Sequence, residues 1–297
     1  MLAGLVFSLP ALDWDAKLEH CELFSGRAAV TMAEREEGRA CAAFDYTYDN
    51  IYHDMNGPEG FTHALYHVLR LEPGSFLTLA PVCSTWVFMS RGSTGRSKSF
   101  PLGNLSAPSV QAGNCMVSRC AILLLLAAAK GVWFCLEQPR GSLLEYHPLI
   151  QCVLKLIKIY RTHIRMSDFA ANSEKGTWLY SNRKEIEDIV DYKPLRVPKR
   201  PRKQLVVHYL DRSGKWRIKG SRCLKGSQEY TMQFGRALAR LRTSNQSKVT
   251  RDARRFLRDA ALESAGEDDG KAKNFTREFN RWVRGANLEP VFQYLTQ

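Results

Sequence analysis

The sequence predicts an α/β fold: a mostly parallel sheet wound in both directions, with helices on each face. Three observations carry it. Apolar runs rich in strand formers alternate with stretches of helical composition as far as residue 190. The first run closes on a Ser25-Gly26 turn and the second on Asp45, the order of a nucleotide-binding βαβ unit. A later run stops at Ala80-Pro81, since proline cannot donate to a sheet ladder, and Cys83 follows two residues on.

In chain order, residues 1–18 lack periodicity and read as an N-terminal extension. Leu18–Gly26 is a strand and its turn, Arg27–Glu37 a helix with Gly38 as C-cap, and Ala40–Phe44 a second strand. Pro58 opens a helix to Arg70, at the position where its missing N–H costs nothing. Glu72-Pro73-Gly74 turns the chain into the strand that leads to Cys83. Residues 89–108 form a long Gly-, Ser- and Arg-containing loop, a length that is usually functional or disordered. Ser109–Lys130 is a helix closed by Gly131, and Val132–Leu136 is a strand ending in Glu137-Gln138-Pro139. Leu149–Tyr160 has helical periodicity, and His163–Phe169 and Thr177–Tyr180 are the last strands, joined by a polar turn.

Beyond Asp191 the composition shifts. Between Lys193 and Arg258, 20 Lys and Arg stand against 3 Asp and Glu, more than the whole chain's net charge of +13. Leu205–Leu210 and Lys215–Ile218 form a hairpin across Asp-Arg-Ser-Gly, and Glu229–Arg242 a helix. A charged helix at Val249–Glu263, an acidic linker at Gly266–Gly270 and an amphipathic end at Phe275–Leu295 follow. Two regions are therefore expected, residues 1–190 and a basic C-terminal region at 191–297. Such a charge balance selects a polyanionic partner. Pro198–Lys203 also reads as a nuclear-import signal.

Other classes recede. The eight cysteines contain no CxxC pair and no zinc-site spacing, so they read as reduced thiols of an intracellular protein. His63 and His67 lie one helical turn apart but have no third ligand, and a helix surface is the better reading. Glu145 and His147 read as a turn before a helix. Leu2–Leu9 has no basic flank, and Cys120–Leu136 is interrupted by Lys130-Gly131, so neither a signal peptide nor a membrane anchor is expected.

Four stations line up in order: Glu22-Leu23-Phe24-Ser25-Gly26, Asp45, Pro81-Val82-Cys83 and Glu137-Gln138-Pro139. Together they resemble the core of the cytosine-C5 DNA methyltransferases, a family with the Rossmann-like class I S-adenosylmethionine-dependent fold. The resemblance covers about residues 19–182. It implies that Glu22, Phe24, Ser25, Gly26, Asp45 and Pro81 contact S-adenosylmethionine. It implies further that a Cys83 thiolate adds to C6 of cytosine while Glu137 holds the base edge and supplies a proton at N3. The 89–108 loop would close over an extruded base. A thiolate needs a lowered pKa, and Arg91 and Arg96 are expected to supply the field or to contact phosphate.

This chain also departs from the family. Val82 replaces a proline, and Gln138-Pro139 replaces Asn-Val, whose Asn holds the catalytic loop. Lys175 is the cation remaining where the family has Gln-x-Arg-x-Arg, and Gln228–Ala237 matches its last, cofactor-side helix. DNA is the expected partner, with Arg91, Arg96, Lys98, Lys175, Lys199, Arg200, Arg202 and Lys203 as candidate contacts and His208, Tyr209 and Trp216 nearby. The alternatives are an RNA cytosine methyltransferase and a binding protein that keeps the fold without turnover.

Overall fold

The computed structural model describes residues 16–192, 205–220 and 225–242. Strand β1 (Leu18–Leu23) is followed by helix α1 (Ala29–Glu36) and β2 (Cys41–Phe44), and α2 (Pro58–Arg70) runs directly into β3 (Leu71–Leu79). After the one-turn α3 (Arg91–Thr94) come α4 (Pro108–Ala129), β4 (Trp133–Pro139), α5 (Pro148–Leu156), β5 (Tyr160–Arg165) and β6 (Gly176–Ser181). The strands form one six-stranded sheet in the order β2-β1-β3-β4-β6-β5. The first four are mutually parallel, and β6 is antiparallel to both β4 and β5. The predicted Rossmann-like class is the one observed. Ten residues, 166–175, link β5 to β6, fewer than the dozen or more a parallel crossover takes, and β6 runs backwards.

The period of two sorts the sheet into two cores. Leu23, Leu79 and Leu136 pack with Val117, Leu124 and Ile150 beneath α4 and α5. Phe76, Trp133, Cys135 and Leu179 pack on the other face with Val30, Ile189, Phe234 and Leu238. Among the described residues α4 is the one helix long and apolar enough to cross a membrane, and it lies in the first core.

Two boundaries differ from the sequence reading. The helix expected to reach Tyr160 ends at Leu156, and Tyr160 already belongs to β5. Ile157 is extended, as β-branched residues favour. The expected strand His163–Phe169 is also displaced, because Met166–Phe169 is a 3-10 turn. A further difference concerns residues 229–242, assigned above to a separate C-terminal region. The compact unit runs to Arg242, and helix α6 (residues 232–242) closes the second core.

Gly235 allows that closure. A Cβ there would lie 2.2 Å from the carbonyl oxygen of Ala29 in α1. Gly235→Ala is therefore expected to cost about 1–3 kcal/mol by overpacking against backbone that cannot move aside. A thermal melt should show a Tm lower by about 3–10 °C. The hairpin of β7 (Val206–Leu210) and β8 (Trp216–Gly220) forms as expected. Lys199, Arg200, Arg202, Lys203 and every element expected beyond residue 242 lie outside the described residues.

Candidate active site

Cys83 stands on a short turn after β3, at the carboxyl end of the sheet. Its carbonyl accepts from the N–H groups of Trp86 (2.9 Å) and Val87 (3.2 Å). The turn is held from the neighbouring strand: Gln138 Nε2 donates to the carbonyl of Pro81 at 2.8 Å, and Ser142 Oγ donates to Gln138 Oε1 at 2.9 Å. Gln138 is 2% exposed, so this amide cannot be exchanged for water. Gln138 thus anchors the Cys83 turn to the neighbouring strand.

Glu137, one residue earlier on β4, lies on the opposite side of that strand and is buried. Lys175 Nζ donates to Glu137 Oε1 at 3.1 Å, and both side chains are largely shielded from water. Tyr230, just before α6, hydrogen-bonds to the same carboxylate. Cys83 feels both charges: burial pushes its thiol up, Lys175 pulls it back, and Glu137 adds to the rise. The expected lowering of the Cys83 pKa is therefore corrected. The thiol rests protonated, and the nearby cation is Lys175 rather than Arg91 or Arg96. Burial disfavours the Lys175 charge, but Glu137 and Cys83 outweigh it and hold the ammonium above its usual range.

Beside this crevice lies the turn after β1. Phe24 (φ +62°), Gly26 (+54°) and Ala28 (+53°) are all left-handed, and for Phe24 that conformation costs about 1–3 kcal/mol. The turn is stapled to the end of β2. Gly26 N donates to Asp45 Oδ2 at 2.8 Å, Tyr48 OH donates to Gly26 O at 2.7 Å, and Ser25 Oγ bonds to Phe44 O at 3.3 Å. Asp45 also accepts from Thr47 N and Oγ1. Glu22 lies beneath, 1% exposed, with Oε2 accepting from Thr31 N and Oγ1 in the first turn of α1. Burial raises its carboxyl to about 7, against the hydrogen bonds from α1. Glu22 Oε1 and the Thr78 Oγ1 opposite it across β1 and β3 have no hydrogen-bond partner.

These residues fit S-adenosylmethionine. Glu22 offers an orphaned buried oxygen for a cationic group, and Asp45 has acceptor capacity left for ribose hydroxyls. A cavity of about 700 Å³, bordered by Arg27, Ala29, Met166, Ser173, Tyr230 and Thr231, lies between α1 and the start of α6, and none of Glu22, Asp45, Cys83 and Glu137 lines it.

The expected nucleic-acid contacts divide. Arg96 is 2% exposed and is a structural hub. It donates to the carbonyls of Pro101 and Val110 and to Asn114 Oδ1, and it lies 3.5 Å over the Trp86 ring. It cannot touch phosphate. It also explains why residues 89–108 are ordered rather than a free loop: they wrap around this guanidinium. Lys175 is committed to Glu137, which corrects its assignment as a phosphate contact. Arg91 lies over Phe88, and Lys98, exposed, over Tyr146. Trp216 on the hairpin is 71% exposed. Among the described residues no cluster of His, Cys, Asp or Glu could hold a metal ion.

Tyr230 lies within the segment 228–237 singled out in the sequence, but its bond to Glu137, 93 positions away, has no local signal.

No protein-family model matches the chain, and neither does any curated protein. Among solved structures the chain is similar to one described as the crystal structure of S. pombe Dnmt2 methyltransferase. The identity is 13%, the TM-score 0.34, and the match covers 64% of this chain and 58% of that one.

Proposed function

We propose that this chain is an S-adenosylmethionine-dependent methyltransferase that acts on C5 of cytosine in nucleic acid, with DNA as the first substrate to test. One observation carries the reading. Cys83 and Glu137 sit at the carboxyl ends of adjacent strands, close enough for Glu137 and its partner Lys175 both to bear on the Cys83 thiol. Phe24, Gly26, Asp45 and Glu22 would hold the cofactor, which when bound supplies an electrophilic methyl group.

The chain's own residues then have separable tasks. Cys83 must lose its proton, and the Lys175 ammonium stabilises the thiolate against burial. The thiolate adds to C6, forming the S–C6 bond and turning C5 into a nucleophile. Glu137, a carboxylate while paired with Lys175, takes up the Cys83 proton and passes it to N3 at the base edge as charge builds there. Tyr230 keeps that carboxyl oriented, and Gln138 keeps the Cys83 turn from drifting. Once C5 carries the methyl group, a solvent water takes the C5 proton. The electrons of that bond restore the C5–C6 double bond, and the sulfur leaves as thiolate. Nuclear location follows for a DNA substrate and fits Pro198–Lys203.

The test is a duplex carrying 5-fluorocytosine, incubated with the full chain and S-adenosylmethionine. Fluorine cannot leave as a proton does, so the wild type should accumulate a covalent adduct stable to denaturing gels, and Cys83→Ser should give none. An adduct that persists in Cys83→Ser removes Cys83 from the mechanism. A folded wild type that binds the cofactor calorimetrically yet forms no adduct on DNA or RNA supports the second reading, a binding protein without turnover. That reading is favoured by the protonated Cys83 and by the Lys175 ion pair that occupies Glu137.

A further inference from the structure

We propose that the β5 edge of the sheet, on the face that carries Gln138 and Trp178, is the track that receives the phosphate backbone. This rests on the preceding reading only for the choice of nucleic acid as the polyanion. Strand β5 is the terminal strand, with one neighbour. Arg161, His163 and Arg165 alternate along it and so project from one face, opposite Tyr180, Trp178 and Gly176 of β6. The Arg161 guanidinium lies 3.7 Å over the Trp178 ring, and His163 is 5.0 Å from the same ring.

Arg140 joins this row from β4. Its N–H donates to Gly176 O at 2.8 Å, and a Cβ at Gly176 would lie 3.0 Å from His163 Nε2 and 3.4 Å from Arg140 Cβ. Burial and then Arg140, Arg165 and Arg161 disfavour a charge on His163, and Asp168 alone works the other way. Arg161 has a carboxylate partner, Glu145 at 3.0 Å. Arg140 and Arg165, both exposed, pair with no carboxylate among the described residues. At the far end of the strand a cleft of about 520 Å³ sets Lys155, Lys158 and Arg161 against Glu145.

Arg140 and Arg165 flank Gly176 from either side, and among the described residues no carboxylate pairs with either. A polyanion would offset both like charges. The strand is about 16 Å long at roughly 3.3 Å per residue. Along the axis of a duplex that length corresponds to about five steps of 3.4 Å. Arg140 and Arg165 both lie on the face of the sheet that carries Gln138 and Trp178, the face opposite Glu137. None of these arginines belongs to the set expected from the sequence.

The test uses the full chain and an unmodified, fluorescein-labelled duplex, with anisotropy read across a salt series. Arg140→Glu with Arg165→Glu is compared with Arg183→Glu plus Lys184→Glu, an equal charge change at the opposite end of β6. The first pair is expected to weaken binding at 0.1 M salt by roughly fiftyfold and to flatten the salt slope by about two, the loss of two phosphate contacts. The control pair is expected to move affinity less than about twofold.

Equal losses in both pairs would overturn the proposal, because net charge alone would explain them. Unchanged duplex affinity with new self-association in the centrifuge would also overturn it, since the row would then only keep the sheet edge from pairing. So would wild type that binds phosphatidylserine vesicles but not the duplex. A chain that binds the duplex through this edge and never forms the Cys83 adduct would refute methyl transfer and leave the track standing.

Discussion

Glu34→Ala is expected to destabilise the protein by about 3–5 kcal/mol, the usual cost of removing one partner of a buried ion pair. Glu34 is fully buried on α1. Its Oε2 accepts from Arg39 Nη1 and, at 3.1 Å, from Arg242 Nη1 on α6. Burial pushes the carboxyl up, and the two arginines oppose that rise. Arg242 is 4% exposed, and its next carboxylate, Glu19, is 3.8 Å away. Without Glu34 a buried guanidinium faces only that distant charge. Denaturant unfolding should show the loss, and Glu34→Ala with Arg242→Ala together should cost less than the two singly, because the buried Arg242 charge leaves with its partner. A loss below about 1 kcal/mol for Glu34→Ala would mean that the contact does not hold α6 in place.

Acidification from pH 6.5 to 5 is expected to remove about 2–4 kcal/mol of stability. Burial lowers His20 and His67 to about 3 and His147 to about 4. Their unfolded value is about 6.5. Below that value the unfolded chain takes up protons that the folded one refuses, so stability is present above pH 6.5 and lost on the way down. Each histidine contributes about 1.4 kcal/mol per pH unit in this window. Glu22, raised to about 7, works in the opposite sense and gains as pH falls, and Glu34 shifts the same way. The histidines prevail by one to two protons. Denaturant midpoints measured at several pH values should fall accordingly, and His20→Leu should flatten the slope by about one proton. A flat profile would show that these rings are charged or hydrated in the folded protein.

What was legible in the sequence was what local chemistry fixes. Pro81 and Asp45 mark strand ends, Pro58 starts α2, and apolar runs alternate with helices. The proximity of Cys83 and Glu137 followed from placing both at strand ends in one parallel sheet. Arg96 was misread because a cation amid Ser and Gly looks solvated. Only the packing shows Trp86 beneath it and Asn114, from α4, beside it. The end of α5 was misplaced because Leu154, Ile157 and Ile159 suit a helix face and a strand equally well. Tyr230 and Arg242 depend on contacts across the whole unit, and no short-range pattern encodes those.

The clasp between α1 and α6 joins residues some 200 positions apart, as in the Arg236 to Glu36 bonds at 2.8 and 2.9 Å. A ribosome adding about 5–20 residues per second needs roughly 10–40 s to travel that distance. Until α6 is made, Val30, Phe76 and Trp133 lack its cover once each has been synthesised. The nascent chain is therefore a client for chaperones until that helix emerges, and a messenger truncated before Gly235 would yield a sticky, half-covered sheet instead of a smaller working protein.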